Sequence, residues 1–144
     1  MKQEKVQVWI VNRTLKDDQV LLFKVIPKRG GGWHPVTGSV EKDEVESKDW
    51  LGAAKRETEE ETGLEPALGE WVDLDWSFEF EGRFGPARER AFAFVLHDFD
   101  GKIILDPHEH EARKWVSLKE AERALGFDSQ RRALEALSCY LLQR

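Results

Sequence analysis

Hydrophobic and polar positions alternate near the start of the chain, where Val6, Val8 and Ile10 are separated by residues of mixed polarity. A period of two is typical of a half-buried β-strand. The apolar segment QVLLFKVI (19–26) follows a turn at positions 17–18 and predicts a second strand. The short connection between the two segments favours a hairpin.

Later segments alternate between strand-like and helix-like patterns. Strands are predicted at 68–81, 90–97 and 102–105, with a further strand end at 115–117, and helices at 49–62, 118–125 and 129–142. Asp49 is the expected N-cap of the first helix and Gly63 its C-terminal stop. Interspersed strands and helices indicate an α/β or α+β fold. A length of 144 residues fits a single domain over residues 1–144.

Composition narrows the possible partners. The chain is 40% hydrophobic and 35% charged, which is typical of a globular protein, and its net charge is -6. An acidic chain lacks the basic surface that nucleic-acid binding needs, so nucleic acid is an unlikely partner. A phosphorylated small molecule stays compatible with this charge, because a metal ion can bridge acidic protein and acidic substrate. The sequence does not indicate an oligomeric state.

The single cysteine and the apolar segments limit the compartment. Cys139 cannot form an intramolecular disulfide, and its neighbours Leu137, Tyr140 and Leu141 predict a buried structural thiol. The longest apolar segments are far shorter than a membrane span, and MKQEKVQV lacks a signal-peptide core. A cytoplasmic location is therefore expected.

The segment KRETEEETG (55–63) carries four glutamates in nine residues. With Glu57 at 0° on a helix, Glu60 falls at roughly -60°, Glu61 at roughly +40° and Glu59 at roughly 200°. Three carboxylates therefore share one face despite their mutual repulsion. A separate stripe is expected to face the core and consists of Leu51, Ala54, Thr58 and Thr62.

Converging carboxylates suit a hard cation. Mg²⁺ prefers oxygen ligands and keeps waters and substrate phosphates in its remaining positions. An exposed acidic helix face is the simpler interpretation of a bare E-x-x-E-E pattern. The surrounding residues favour the metal site, because Arg56 precedes the glutamates, Gly63 ends the helix and a glycine-rich loop (27–39) lies upstream.

These residues resemble the signature of the Nudix hydrolases, G-x5-E-x7-R-E-U-x-E-E-x-G-U, in which U is a bulky aliphatic residue. Gly38 and Glu44 match its first part, and Arg56 to Leu64 match its second part. Thr58 stands where the family has an aliphatic residue. Eleven residues separate Glu44 from Arg56 where the family has seven, so we expect the additional four to bulge within VESKD (45–49).

The insertion leaves the first signature glutamate ambiguous. Counting back from Arg56 reaches Lys48, whose charge has the wrong sign to pair with an arginine. Glu44 or Glu46 must then take that position, and Glu44 is preferred.

The resemblance implies an α/β/α sandwich with a mixed central sheet and Mg²⁺-dependent hydrolysis, with Mn²⁺ as a possible substitute. By position in the motif, Glu57, Glu60, Glu61 and the Gly38 carbonyl are implied metal ligands, with Glu60 and Glu61 also catalytic. Arg56 is implied to support catalysis by holding the loop and helix together through its glutamate partner.

Three local matches favour one branch of the family. W-x-x-V-T-G-S-V-E (33–41), E-H ahead of K-W (109–115) and a serine-x-arginine helix start (129–131) resemble the dihydroneopterin triphosphate or dATP pyrophosphohydrolases. The branch reaction yields a monophosphate and pyrophosphate from a nucleotide or pterin triphosphate. By the same match Glu109 is implied as a further catalytic and metal-binding carboxylate, with Glu111 as its competitor.

Candidate substrate-binding residues lie outside the signature. Trp33 could stack on a base or pack its loop against the sheet, and the two interpretations are equally supported. Lys24, Arg29 and Arg88 could meet substrate phosphates, although each could also be an ordinary surface charge.

Two other functions remain open from the sequence. A Nudix hydrolase could instead act on ADP-ribose, a dinucleoside polyphosphate or an RNA 5′ end. A non-catalytic ligand sensor of the same fold is the third alternative. The complete set of Glu57, Glu60 and Glu61 argues against the sensor, which would not need all three.

Overall fold

A computed structural model describes residues 2–143 as a mixed β-sheet flanked by helices on both faces. The strands are β1 (Gln3–Arg13), β2 (Asp18–Val25), β3 (Trp33–His34), β4 (Val36–Ser39), β5 (Glu70–Gly82), β6 (Gly85–His97) and β7 (His110–Ser117). The helices are α1 (Lys42–Glu46), α2 (Trp50–Thr62), α3 (Leu118–Ala124) and α4 (Asp128–Leu142), with short 3-10 turns at Pro27–Arg29 and Pro66–Leu68.

The sheet follows the order β3-β2-β1-β6-β5, with β4 paired to β1 and β7 paired to β2. β1 and β6 run parallel, and the other pairs are antiparallel. The predicted hairpin is confirmed by the pairing of Val11 with Val20. The mixed sheet between helices confirms the expected α/β/α sandwich.

Alternation along β1 divides the core into two halves. Val6, Val8 and Ile10 pack towards α2, whereas Trp9 and Val11 pack towards α3 and α4. All five side chains are fully buried. The helix layers therefore bury opposite faces of the same strand, as the period of two requires.

Two predicted elements differ from the structure. Residues 102–105 form no strand, and the N–H of Ile104 instead donates to the carbonyl of Thr62 at the end of α2. The inserted residues after Glu44 do not simply bulge, because the short helix α1 contains Glu44 and Glu46. A turn through Lys48, with φ of 56°, then leads into α2.

Two burial predictions were wrong for the same reason. Cys139 is exposed because α4 turns its apolar side, which includes Leu137 and Leu141, towards the sheet, and Cys139 lies on the other side. Leu51 is 38% exposed, and Ala53 takes the expected place in the buried stripe of α2. In both helices the exact phase against the sheet decided the outcome. No helix within residues 2–143 is long and apolar enough to cross a membrane.

Candidate active site

Helix α2 supplies the central carboxylates of the site. The Asp49 side chain accepts a hydrogen bond from the Gly52 N–H at 2.9 Å and caps the N-terminus, as predicted. Gly63 ends the helix with φ of 74°, a left-handed conformation that favours glycine. Because the buried side of α2 faces the sheet, Glu57 and Glu61, one turn apart, are directed into a cleft beside the sheet.

Gly38 lies in close contact with the first of these carboxylates. A Cβ atom at position 38 would lie 2.1 Å from Cδ and 2.4 Å from Oε2 of Glu57. No side chain could occupy that space without displacing the carboxylate. Strand β4 therefore approaches α2 so closely only because residue 38 is glycine.

Arg56 holds the neighbouring acidic residues together. We call the Arg56 cluster the set formed by Arg56, Glu41, Glu44, Glu57 and Glu60. The guanidinium donates to both Glu44 oxygens, at 2.9 and 3.1 Å, and to the Ser39 carbonyl at 3.0 Å. One cation thus links α1, β4 and α2.

The electrostatics of this cluster are favourable. The hydrogen bond from Arg56 holds the pKa of Glu44 below its usual range, and Glu44 in turn raises the pKa of Arg56. The structure identifies Glu44 as the partner of Arg56, whereas Glu46 lies exposed on α1. The preference for Glu44 over Glu46 therefore agrees with the geometry.

A second group of side chains lies in the same cleft, and Arg29 reaches only one of its carboxyls, that of Glu109. We call the Glu61 cluster the set formed by Glu61, Glu109 and His110, whose ligand atoms lie within 4.8 Å of one another. Glu61 is 5% exposed, and its Oε2 is 3.4 Å from His110 Nε2 but forms no hydrogen bond with the described residues. This buried oxygen is available to a ligand.

Burial destabilises the charged forms of Glu61 and His110. Burial, followed by the nearby Glu109 and Glu57 carboxyls, raises the pKa of Glu61 to about 10. Burial also lowers the pKa of His110, so the imidazole offers little positive charge to offset the carboxylates. An added divalent cation would supply the missing charge, and the oxygen-rich donor set fits a hard ion such as Mg²⁺.

The two clusters meet in one cleft of about 550 Å³. Its acidic wall includes Glu57, Glu61 and Glu109, and Arg29 lies 3.6 Å from Glu109 across it. The lining also includes the tip of the β5–β6 hairpin and the N-terminal half of β1, through Gln3, Lys5, Phe80, Arg83 and Phe84. The cleft is large enough for a nucleotide-sized ligand.

The remaining predicted carboxylates lie at different distances from this cleft. Glu60 is 59% exposed, contacts Arg56 at 3.3 Å and does not line the cleft wall. Glu111 pairs with Lys24 at 3.7 Å on the exposed side of β7, outside the cleft. The geometry therefore favours Glu109 over its competitor Glu111.

Only one of the four predicted substrate-binding residues lines the cleft, and it is Arg29. Trp33 packs against the core with the Lys114 ammonium 4.3 Å above its ring, which favours the packing interpretation. Lys24 has its partner in Glu111. Arg88 pairs with Glu79 at 2.5 Å.

Several residues that line the cleft were not singled out from the sequence as site residues, among them His110 and Arg83. His110 adjoins Glu109 at the start of β7, but its spacing to other histidines suggested no metal site. Arg83 and Phe84 form the two-residue turn of the β5–β6 hairpin. The glycines on either side of them, Gly82 and Gly85, were the available signal for that turn.

Comparison with known proteins agrees with this geometry. The family model of the NUDIX domain matches residues 2–137. A protein of Escherichia coli K12 named CTP pyrophosphohydrolase is 33% identical over 123 residues, which cover 84% of this chain and 81% of that protein. The solved dihydroneopterin triphosphate pyrophosphohydrolase of E. coli superposes with a TM-score of 0.76 at 26% identity, covering 92% of each chain.

One relative is much longer. A Myxococcus xanthus protein named octanoyltransferase is 32% identical over 132 residues, or 90% of this chain, and the chain spans only 35% of that protein's length. The family match nevertheless extends over nearly the whole chain, including both acidic clusters. The chain therefore belongs to the Nudix family.

Proposed function

We propose that the protein is a metal-dependent pyrophosphohydrolase that cleaves a nucleoside triphosphate or a similar triphosphate into a monophosphate and pyrophosphate. Nudix hydrolases act on pyrophosphate bonds. The observation that supports the proposal most is the Glu61 cluster, in which the buried Glu61 and His110 and the half-buried Glu109 bring their ligand atoms within 4.8 Å of one another inside a nucleotide-sized cleft.

Within this proposal, Glu57, Glu61, Glu109 and the Gly38 carbonyl hold Mg²⁺, and Mn²⁺ can substitute. Glu60 completes the ligand set when its exposed side chain turns from Arg56 towards the cleft. When bound, the ion neutralises phosphate oxygens and polarises the phosphorus that is attacked.

The protein's own side chains have separate roles in this proposal. Glu109 accepts the proton of the attacking water, because it lines the cleft beside the other carboxyls and its side chain is partly exposed. Arg29 contacts a substrate phosphate, since its guanidinium faces the cleft. Arg56 positions α2 and β4 without touching the substrate.

The substrate class is proposed from the relatives. The names of two of them specify a nucleoside or pterin triphosphate, CTP in one case and dihydroneopterin triphosphate in the other. Both compounds carry a triphosphate on a sugar-like chain and a flat nitrogen heterocycle. The cleft is lined by carboxyls that suit a metal ion and its phosphates. It is also lined by the aromatic side chains of Phe80 and Phe84.

A product assay over a substrate panel tests the proposal. Purified protein is incubated with CTP, dATP, dihydroneopterin triphosphate, ADP-ribose and a dinucleoside tetraphosphate at several Mg²⁺ concentrations. We expect Mg²⁺-dependent release of pyrophosphate from at least one triphosphate. Turnover of ADP-ribose or the dinucleotide alone would replace the proposed substrate class, and binding without turnover at any Mg²⁺ concentration would indicate a sensor.

A further inference from the structure

A carboxylate outside the two acidic clusters is buried without an evident structural reason. Glu89 on β6 is 6% exposed, and Gln7 Nε2 donates to its Oε2 at 2.7 Å. Gln7 is itself held by a hydrogen bond from Trp9 Nε1 at 2.6 Å. A single neutral donor compensates a buried carboxylate poorly, and a glutamine would be cheaper to bury at this position.

The strand register places Glu89 beside the cleft. Glu89 is the in-register partner of Lys5 on β1 and of Phe78 on β5, so the three side chains lie in one row on the same face of the sheet. The next row contains Gln3 and Phe80. Lys5, Gln3 and Phe80 line the cleft, which therefore extends to the row of Glu89.

The helix layer stops short of these rows. The core beneath α4 contains Trp9, Ala91 and Ala93, further along the same face. Beyond them, the rings of Phe78 and Phe80 stack with centroids 5.2 Å apart and stay partly exposed. A flat aromatic surface next to a buried carboxyl suits a nitrogen heterocycle, which can stack on the rings and donate a hydrogen bond to the acid.

The ionisation of Glu89 agrees with such a role. Burial raises its pKa to about 7, although the Gln7 hydrogen bond and the Lys5 charge act in the opposite direction. Among the described residues, the carboxyl's only hydrogen bond is the one from Gln7 to Oε2, which leaves Oε1 for a ligand.

We propose that Glu89, held in place by Gln7, reads the substrate's base by accepting a hydrogen bond from its exocyclic amino group. The protein would then prefer amino-bearing bases to their oxo or unsubstituted counterparts. The inference rests on the proposed function for the identity of the ligand as a nucleotide. It concerns a residue that is not among the proposed metal ligands, so it can be tested without metal or turnover.

The test uses nucleoside monophosphates, which carry the base but no scissile anhydride. Binding of CMP against UMP, and of GMP against IMP, is measured by NMR titration of metal-free protein; each pair differs at an exocyclic amino group. Glu89→Gln is the test variant, because its amide oxygen can still accept from Gln7 and preserve the fold. Glu81→Gln is the matched control, since Glu81 lies exposed on β5.

We expect the wild type and Glu81→Gln to prefer the amino member of at least one pair by roughly tenfold or more. Glu89→Gln should lose most of this preference while its thermal unfolding temperature is retained or raised. The pair with the larger preference tells a pyrimidine from a purine substrate. Absence of a preference in the wild type, absence of binding, or a preference that survives in Glu89→Gln would overturn the inference. Preferential binding without hydrolysis of any triphosphate would instead contradict the proposed function alone.

Discussion

The Arg56 cluster and the Glu61 cluster are both built on α2, but their charges are balanced in different ways. In the first, one guanidinium contacts four glutamates at 2.9 to 3.3 Å. In the second, Glu61 and Glu109 face each other beside an imidazole whose pKa is lowered by burial. The first cluster is centred on its countercharge, whereas in the second Arg29 reaches only Glu109, at 3.6 Å, and Oε2 of the buried Glu61 has no hydrogen-bond partner among the described residues.

This difference distinguishes carboxylates that stabilise the fold from carboxylates that are available to bind a ligand, although both kinds occur on α2. Carboxylates that already have an arginine partner stabilise the fold, because breaking the pair would leave charge uncompensated. A buried carboxylate without such a partner destabilises the metal-free protein. A bound cation offsets this destabilisation. Glu57 belongs to the Arg56 cluster and also lines the cleft, so it connects the two.

Glu61→Gln should have the largest effect on activity. We expect turnover to fall by about 10²- to 10³-fold, because the variant removes a buried ligand oxygen at the reacting centre. Stability without metal should be retained or increased, since the cost of burying an ionisable carboxyl among other carboxyls is lost. Pyrophosphate release and thermal unfolding, both measured against Mg²⁺ concentration, check the two outcomes. The exposed Glu59→Gln is the control on the same helix, and an equal loss at 59 and 61 would contradict the assignment of faces on α2.

Arg56→Met should lower the stability of the protein, in contrast to Glu61→Gln. Removing the guanidinium leaves Glu44 and Glu57, both mostly buried, without their countercharge. We expect the free energy of unfolding to fall by about 3 kcal/mol, as for other broken ion pairs with little exposure. Urea unfolding at pH 7 measures the loss, with Arg88→Met as a control that removes an exposed partner of Glu79. A loss no larger than the control's would show that the Arg56 cluster is not structural.

The sequence predicted the helix of these clusters and its glutamates because helical periodicity and end signals are local properties. Asp49, Gly63 and the angular positions of Glu57 and Glu61 all follow from spacing along the chain. The family resemblance added Gly38 and Glu109, which the structure brings to the same cleft.

Other features depend on contacts that spacing cannot show. Glu89 was missed because its burial is set by the register of β6 between β1 and β5. The exposure of Cys139 depends on the phase of α4 against the sheet. The absence of a strand at 102–105 follows from pairing with the end of α2 through Ile104. Each of these is a long-range contact between segments far apart in sequence.

Glu89 lies outside both clusters, and the pH dependence of the free energy of unfolding tests its ionisation. The folded-state pKa of Glu89, about 7, exceeds the usual value of 4.5. The contribution of this carboxyl to the free energy of unfolding is therefore fully present below about pH 4.5 and is lost as the pH rises towards 7. The advantage in unfolding free energy of Glu89→Gln over the wild type should therefore grow by up to about 3 kcal/mol across this range. Urea unfolding at several pH values measures it. A difference that does not change with pH would contradict the raised pKa.

Glu60→Gln should have the smallest effect, because Glu60 is an exposed member of the Arg56 cluster and does not line the cleft. Its exposed carboxylate contacts Arg56 at 3.3 Å, and it must turn towards the cleft to bind metal. We expect turnover at saturating Mg²⁺ to fall by about tenfold, less than for Glu61→Gln, with a higher Mg²⁺ concentration for half-maximal rate. An unchanged Mg²⁺ dependence would remove Glu60 from the proposed ligand set.

We infer that the divalent cation binds at the Glu61 cluster, which Glu57 also reaches, and that the Arg56–Glu44 ion pair takes no part in binding it. Titration with Mn²⁺, in which the electron paramagnetic resonance signal of free Mn²⁺ is recorded, tests it directly in the wild type, Glu61→Gln and Glu44→Gln. We expect saturable Mn²⁺ binding in the wild type and in Glu44→Gln, and weak or undetectable binding in Glu61→Gln. Undiminished binding in Glu61→Gln, or loss of binding only in Glu44→Gln, would contradict it.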